Sequence, residues 1–221
     1  MSQIILPNRT IKDSGSISKC IDKSITSIVI PNTVKKISSY RFYKCTNLVS
    51  VTVPNSVTQI NGYAFYGCSA LTDLILPDTI TWCGERVFYG CSSLTSISIT
   101  FSKIPEYAFG NCTSLNSVTL SNSVTYIGPQ AFYNCSSLTN ITIPTSCTNI
   151  SYRVFESCTS LLSVTVLSAT PPTVGSYMFI NGSSNAVIYV PAESVDTYKA
   201  ASGWSAYSSR IQAIPTWSLA I

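Results

Sequence analysis

One phrase, Phe-x-x-Cys-x-x-Leu-x-x-Val/Ile-x-Val/Ile/Leu with one Leu variant, recurs six times in this chain and decides what it can fold into. The copies begin at Phe42, Phe65, Phe88, Phe109, Phe132 and Phe155. The step is 23 residues, except that two residues are missing from the connecting turn between Phe88 and Phe109. A period of this length is the mark of a solenoid, in which one repeat cannot bury its apolar face alone and does so against the next. Degraded copies flank the six. Downstream, Phe179 is followed by Ile188 and Val190, with Gly182 and Asn185 in place of the Cys and Leu; upstream, Ile17, Cys20, Ile25, Ile28 and Ile30 read as a copy with an insertion, and Ile4 and Leu6 as one more strand. Atypical end repeats are expected, because an end coil has one neighbour only.

Each part of the phrase has a physical task. In Val51-Thr52-Val53 the alternation has period two, so Val51 and Val53 point inward and Thr52 outward. Such strands are expected to close near residues 6, 30, 53, 76, 99, 120, 143, 166 and 190 and to stack into one parallel sheet, roughly 40 Å long at about 4.8 Å per strand. Pro31, Pro54, Pro77 and Pro144 follow their strands and end them, since proline cannot donate to the ladder. A second inward pair then recurs as Val34 and Ile37, Val57 and Ile60, Ile80 and Cys83, Val124 and Ile127, and Cys147 and Ile150. The Phe segment is expected to make a short helical turn opposite the sheet. After Pro191 the repeat breaks. Ala192–Ala201 reads as a helix with Val195, Tyr198 and Ala201 on one stripe, and Trp204, Tyr207, Ile211 and Ile214 could cover the last coil. The domain reading is therefore a solenoid of about eight coils over 1–191 and a C-terminal helical cap with an apolar tail over 192–221. Trp217, Leu219 and Ile221 in that tail are candidates for docking on another subunit.

The six copies closely resemble the BspA-type, or Treponema pallidum-type, leucine-rich repeat, whose consensus is the same Ala-Phe-x-x-Cys-x-x-Leu-x-x-Ile-x-Ile-Pro phrase. The resemblance covers about residues 4–191, and the segment Tyr189–Trp204 looks like the closing segment of many such proteins. It implies an α/β repeat solenoid: a leucine-rich-repeat right-handed superhelix with a parallel β-sheet on one face and short helical turns opposite. It also implies a non-enzymatic interaction scaffold, active in protein binding or adhesion, as in the surface proteins of host-associated bacteria and some protists. Similar repeats in phages of gut bacteria give the alternative of a structural virion component, such as a decoration, fibre or tail protein. Surface members carry an export signal. Met1–Pro7 lacks the basic leader and apolar run of one, so the expectation is cytoplasmic synthesis followed by virion incorporation or non-Sec placement on a surface.

Composition narrows the function classes. Charged residues make up 10% of the chain, against about 25% in typical soluble domains, so Ser, Thr and Asn must supply the polar surface. The 13 basic and 9 acidic residues are scattered, with Lys35-Lys36 the only adjacent basic pair. That is not the concentrated basic face nucleic-acid binding uses, and no apolar run is long enough for a transmembrane helix. The chain has no His, which removes the commonest general base and metal ligand. Its carboxylates form no recurring acid–base pair, and no phosphate-binding glycine phrase occurs. The reading is no enzyme, no catalytic residue, no metal and no cofactor. The nine cysteines include no Cys-x-x-Cys, and six of them recur once per coil, which favours a ladder of buried free thiols acting as small hydrophobes over zinc or disulfide chemistry. The partner expected is a protein or the subunits of an assembly, not nucleic acid and not a membrane; a glycan stays open, with no residue pattern that specifies one.

The outward positions carry the candidate site. The sheet face reads as a hydroxyl lawn, including Thr52, Ser98, Thr119, Thr142 and Thr165. The sharper signal is two columns of tyrosine. One follows the repeat Phe: Tyr43, Tyr66, Tyr89 and Tyr133. The other lies two residues before it: Tyr40, Tyr63, Tyr107 and Tyr177, with Arg86 and Arg153 in the gaps. Tyr and Arg are enriched at binding hot spots, so a contact strip at Tyr40, Tyr43, Tyr63, Tyr66, Arg86, Tyr89, Tyr107, Tyr133 and Arg153 is one reading. The other is that these rings shield the edge of the core with their hydroxyls in water.

Overall fold

The computed structural model of the chain describes residues 3–5 and 24–215. The upstream copy at Ile17 and Cys20, the residues Leu6-Pro7 and the tail from Trp217 to Ile221 lie outside the described residues. In chain order the elements are strands β1 (Gln3–Ile5), β2 (Ser27–Val29), β3 (Lys36–Ile37), β4 (Ser50–Thr52), β5 (Gln59–Ile60), β6 (Asp73–Ile75), β7 (Trp82–Cys83), β8 (Ser96–Ile99), β9 (Lys103–Ile104), β10 (Ser117–Leu120), β11 (Tyr126–Ile127), β12 (Asn140–Ile143), β13 (Asn149–Ile150), β14 (Ser163–Val166), β15 (Thr173–Val174) and β16 (Val187–Val190), then helix α1 (Val195–Ala200) and strand β17 (Ile211–Ala213). All pairings are parallel and in register from coil to coil, as in Val51 beside Leu74 and Ile141 beside Val164. The result is a parallel-strand solenoid of leucine-rich-repeat type with about eight turns and little helix.

Each coil contributes two strands, because each repeat carries two inward apolar pairs. The strand that closes the phrase belongs to one sheet face. The second pair builds a further sheet of two-residue strands, β3-β5-β7 and β9-β11-β13-β15. The closing strands do not form the single sheet expected from the sequence. They fall into three ladders, β1-β2-β4-β6, β8-β10 and β12-β14-β16-β17, and the interruption after β6 coincides with the coil that lost two residues. In that coil Phe101, buried at 1% exposure, stands where other coils place Val57, Ile80 or Val124. A longer side chain fills the space vacated by a shorter turn.

The Phe segments are not helical turns. Two residues in each, two before and two after the Phe, hold left-handed backbone: Tyr40 and Lys44, Arg86 and Gly90, Tyr107 and Asn111, Arg153 and Ser157. A right-handed helix cannot pass through two such residues four apart. The reversals turn alternate N–H groups out of the coil and onto the next one. Phe65 N–H donates to the Val87 carbonyl at 2.9 Å, Phe109 to Ala131 at 2.8 Å and Gly67 to Tyr89 at 2.7 Å, while the intervening N–H groups close turns within the coil, as Cys68 does to Phe65. The turns are thus a third laced side of the solenoid. Hydroxyls add to it: Ser56 Oγ donates to the Val34 carbonyl, Thr81 Oγ1 to Thr58 and Ser136 Oγ to Thr113. Much of the Ser and Thr content therefore ties one coil to the next.

The core is a set of columns. The Phe rings stack from Phe42 to Phe179 with centroids 5.0–5.9 Å apart and planes within 9–22°, and all are buried. Beside them, Cys68, Cys91, Cys112, Cys135 and Cys158 each donate Sγ–H to the Phe carbonyl of the preceding coil at 3.0–3.3 Å. These five, with Cys83 and Cys147, are free buried thiols. Cys45 departs from the expected ladder of free thiols, for it is disulfide-bonded.

The segment after Pro191 packs over the last coil. Tyr198 and Trp204 are fully buried and meet edge to face at 5.1 Å. Tyr198 donates its hydroxyl to the Ser168 carbonyl at 2.7 Å and Trp204 donates Nε1–H to Pro172 at 2.8 Å. Arg210 lies 4.2 Å over the Phe179 ring and donates to the Ala186 carbonyl. The chain then returns as β17, pairing with β16 in the repeat's own register, a strand the sequence reading missed. Deleting residues 192–221 strips Phe179 and β16 of these contacts, so a 1–191 fragment should aggregate; sedimentation of a monomeric, folded fragment would remove this segment's capping role.

Burial pushes the thiols of Cys68, Cys112 and Cys158 up to about 12 and that of Cys147 to about 11. The unfolded chain releases these protons near the ordinary value of 9.0, so above it the unfolded state binds fewer protons than the native one. Stability should be constant below that value and fall as pH rises toward 12, by up to about 1.4 kcal/mol per pH unit for each thiol. Urea midpoints measured from pH 7 to 11 check this. Thiol reagent should meet almost no group on the native chain, and seven more on unfolding from the free cysteines described.

Candidate functional site

The turn side carries the aromatic strip. Tyr40 stacks on Tyr63 with centroids 4.9 Å apart, and Tyr43, Tyr66 and Tyr89 form a second stack at 5.0 and 4.9 Å. The two are joined sideways, Tyr40 to Tyr43 at 5.5 Å and Tyr63 to Tyr66 at 5.7 Å. Beyond Tyr89 the column is interrupted by Gly110. A Cβ there would stand 2.7 Å from the Tyr89 ring, so the glycine lets that ring lie across it. Contact then continues edge to face, Tyr89 to Tyr107 at 5.9 Å and Tyr107 to Tyr133 at 5.8 Å. All these rings are half-buried. Stacking covers their faces, and the Tyr63 and Tyr89 hydroxyls accept from Arg86 and Asn111.

Arg86 sits in the middle of the strip. Its guanidinium lies 4.6 Å from the Tyr107 ring centre and donates to the Tyr63 hydroxyl at 3.0 Å, and it pairs with Glu106 at 3.4 Å and Glu85 at 3.5 Å. Partial burial works against its charge, but the Tyr63 hydroxyl and the two carboxylates outweigh that and hold its pKa above the ordinary value. Burial is the main cause that raises the phenols of Tyr89 and Tyr107. At the far end Arg153 pairs with Glu156 at 3.9 Å and covers Tyr177.

Every residue proposed from the sequence thus reaches one continuous strip. Four others belong to it that the sequence reading missed. Gln130 occupies the position two before Phe132 and donates Nε2–H to Glu156 at 2.9 Å; Glu156, directly after Phe155, is buried. Asn111 donates to the Tyr89 hydroxyl at 2.7 Å, and Asn134 donates to Asn111. Counting offsets from each Phe would have found them; the search by residue type did not.

The column two before the Phe is held in left-handed backbone throughout: φ is 60° at Tyr40 and Tyr63, 50° at Arg86, 51° at Tyr107 and Gln130, 54° at Arg153 and 60° at Tyr177. Glycine would occupy such positions freely, whereas an L-residue there costs about 1–2 kcal/mol. None of the seven is glycine. The opposite, sheet-face positions Thr52, Ser98, Thr119 and Thr142 are exposed. Ile75 among them is 83% exposed. Among the described residues no helix is long and apolar enough to cross a membrane.

The model of the BspA-type leucine-rich repeat region matches residues 18–102 and 96–201, with six copies. The chain belongs to this family. No protein of curated function matches it in sequence. Among solved structures it is similar to a leucine-rich repeat protein from Bacteroides ovatus, with 28% identity and a TM-score of 0.60, over 87% of this chain and 55% of that one. A leucine-rich repeat protein from Eubacterium ventriosum shares 26% identity with a TM-score of 0.62, over 72% of this chain and 43% of that one. A leucine-rich cell surface protein from Faecalibacterium prausnitzii, at 24% identity and a TM-score of 0.61, covers 96% of this chain and 71% of its own and shares the fold. The chain spans about half the length of the Bacteroides ovatus protein. Leucine-rich repeat proteins are generally non-enzymatic scaffolds that bind proteins.

The left-handed column gives a direct test of what its side chains do. Tyr177 is 60% exposed at the end of the strip, so Tyr177→Gly should leave stability level or raise it by up to about 1 kcal/mol as strain is relieved. Tyr63→Gly, which also removes two ring contacts and the Arg86 hydrogen bond, should lower it by about 1–3 kcal/mol. Urea unfolding of the two variants measures the order, and equal effects would show that the stack contributes nothing.

Proposed function

We propose that this chain is a non-enzymatic scaffold that binds a protein partner through the tyrosine–arginine strip, in the manner of the adhesion that the family resemblance implies. The observation that carries the reading is the left-handed column. Tyr, Arg and Gln stand at seven successive positions whose left-handed backbone only glycine adopts without strain. Stacking offsets that strain inside the row, as at Tyr63, but not at Tyr177, 60% exposed at its end, where a surface built for contact accounts for the side chain. The half-buried rings present their edges along a row, and tyrosine brings large contact area at low entropic cost. With net charge of +4 and only 10% charged residues, long-range steering is weak and association should depend little on salt.

The test replaces Tyr43, Tyr66 and Tyr89 together by Ser, leaving the stacked Phe column in place. Peptide ligands selected from a displayed library against the wild-type protein should lose about 2 kcal/mol or more of affinity per hot-spot ring, while circular dichroism stays nearly unchanged. Thr52, Thr119 and Thr142 replaced by Ala are the control on the opposite face. Loss of binding in the control alone would place the partner on the sheet, and unfolding of the tyrosine variant would make the rings core shielding.

A further inference from the structure

The coil boundary between β6-β7 and β8-β9 differs from every other described boundary. Elsewhere at least one of the two sheets crosses it: between β10 and β12 the long ladder stops, but β9-β11-β13 runs through. Between β6 and β8, and between β7 and β9, neither sheet continues, and among the described residues no backbone hydrogen bond joins either pair.

Two sequence features cause this. Other coils send an N–H from the residue after the short strand to the preceding coil: Asn61 to Ile37, Gly84 to Ile60, Gly128 to Ile104 and Ser151 to Ile127. In this coil the residue is Pro105, which has no N–H to give Cys83. The missing two residues also remove a hydroxyl tie. Thr79 bonds back to Val57 and Ser123 to Thr100, but Thr100, the residue between them in the column, has its hydroxyl buried without a partner. The threonine ladder skips as well: Thr81 bonds to Thr58 and Thr125 to Ser102, with no bond from Ser102 to Thr81. Clefts open at this boundary on both faces, one of about 180 Å³ beside Ile75 and Ser96, the other of about 240 Å³ between Trp82, Lys103 and Tyr126.

The turn side, by contrast, stays laced. Tyr63 N–H donates to Glu85, Phe65 to Val87 and Gly67 to Tyr89, all at 2.7–2.9 Å, and Cys91 Sγ donates to Phe65. We propose that this boundary is a hinge: the coils up to β7 swing against those from β8 about the turn column, opening both sheet faces together while the aromatic strip stays continuous as the pivot. In a solenoid, coupling is a sum of nearest-neighbour interface contributions, so a boundary stripped of two ladders is where the stack gives way first. Opening would widen the cleft that holds the half-exposed ring of Trp82 without separating Tyr66 from Tyr89.

Hydrogen exchange of the intact chain tests this. Amides of residues 96–104 should exchange about tenfold or more faster than those of β12–β14, with the boundary at β10 and β12 intermediate. The two faces should open with one shared free energy and denaturant dependence. Pro105→Gly combined with two residues inserted after Thr100 restores the full period and should slow exchange at this boundary alone. If that variant does not fold, Pro105→Gly by itself should show protection of the amide it introduces, through a bond to the Cys83 carbonyl. Wild-type protection here equal to that of β12–β14, separate opening energies on the two faces, or repaired variants that exchange as fast as wild type would each overturn the hinge.

Discussion

The backbone hydrogen bonds that each Phe turn sends to the next coil hold the rest of the structure in place. They are the one lattice that crosses every boundary described from Tyr40 to Ile180, including those where a sheet stops. Two left-handed residues per turn make them, by rotating alternate N–H groups out of the coil. Once the turns are spaced in this way, the Phe rings are carried into stacking distance and each cysteine is brought under the preceding Phe carbonyl. The sheets follow the turns, which explains how the stack tolerates a coil two residues short.

The repeat was legible because its parts report their own geometry. Period-two apolar residues marked the strands, and the fixed offsets from Phe to Cys to Leu marked the coil. What failed to show was anything set by backbone sign or by neighbours. Ala before Phe reads as a helix former, so the segment looked helical; the left-handed residues two before the Phe are Tyr, Arg and Gln, whose type gives no warning, while Gly67, Gly90, Asn111, Asn134 and Asn181 two after it were a signal passed over. Phe101 was passed over because the shortened turn moved it off the expected spacing. The short second sheet was hidden for a simpler reason: two residues per coil make a strand only when the next coil supplies the partner.

The aromatic strip was found by residue type and was incomplete for the same reason. Gln130 and Glu156 occupy strip positions without being Tyr or Arg, and their mutual hydrogen bond, with the Arg153 ion pair, carries the row beyond Tyr133. Cys45 shows the converse limit. Its place in the phrase matches the other five, yet it is disulfide-bonded where they are free thiols. Periodicity predicts the interior of a solenoid well and its ends poorly, since an end residue answers to whatever lies outside the repeat.

Rigidity and function divide along the same line. A row of contacts useful to an extended partner must keep its spacing, and the strip lies on the one side whose ladder has no gap. The sheet sides are where gaps are tolerated, and there Ile75 and Trp82 stand exposed beside the clefts. Pro105 and the missing two residues weaken both sheets at one boundary and leave the turn column whole. A binding surface on the turn side would be insulated from that weakness, whereas anything seated in the Trp82 cleft would act on it directly, because filling or emptying the cleft is the same displacement as bending the stack.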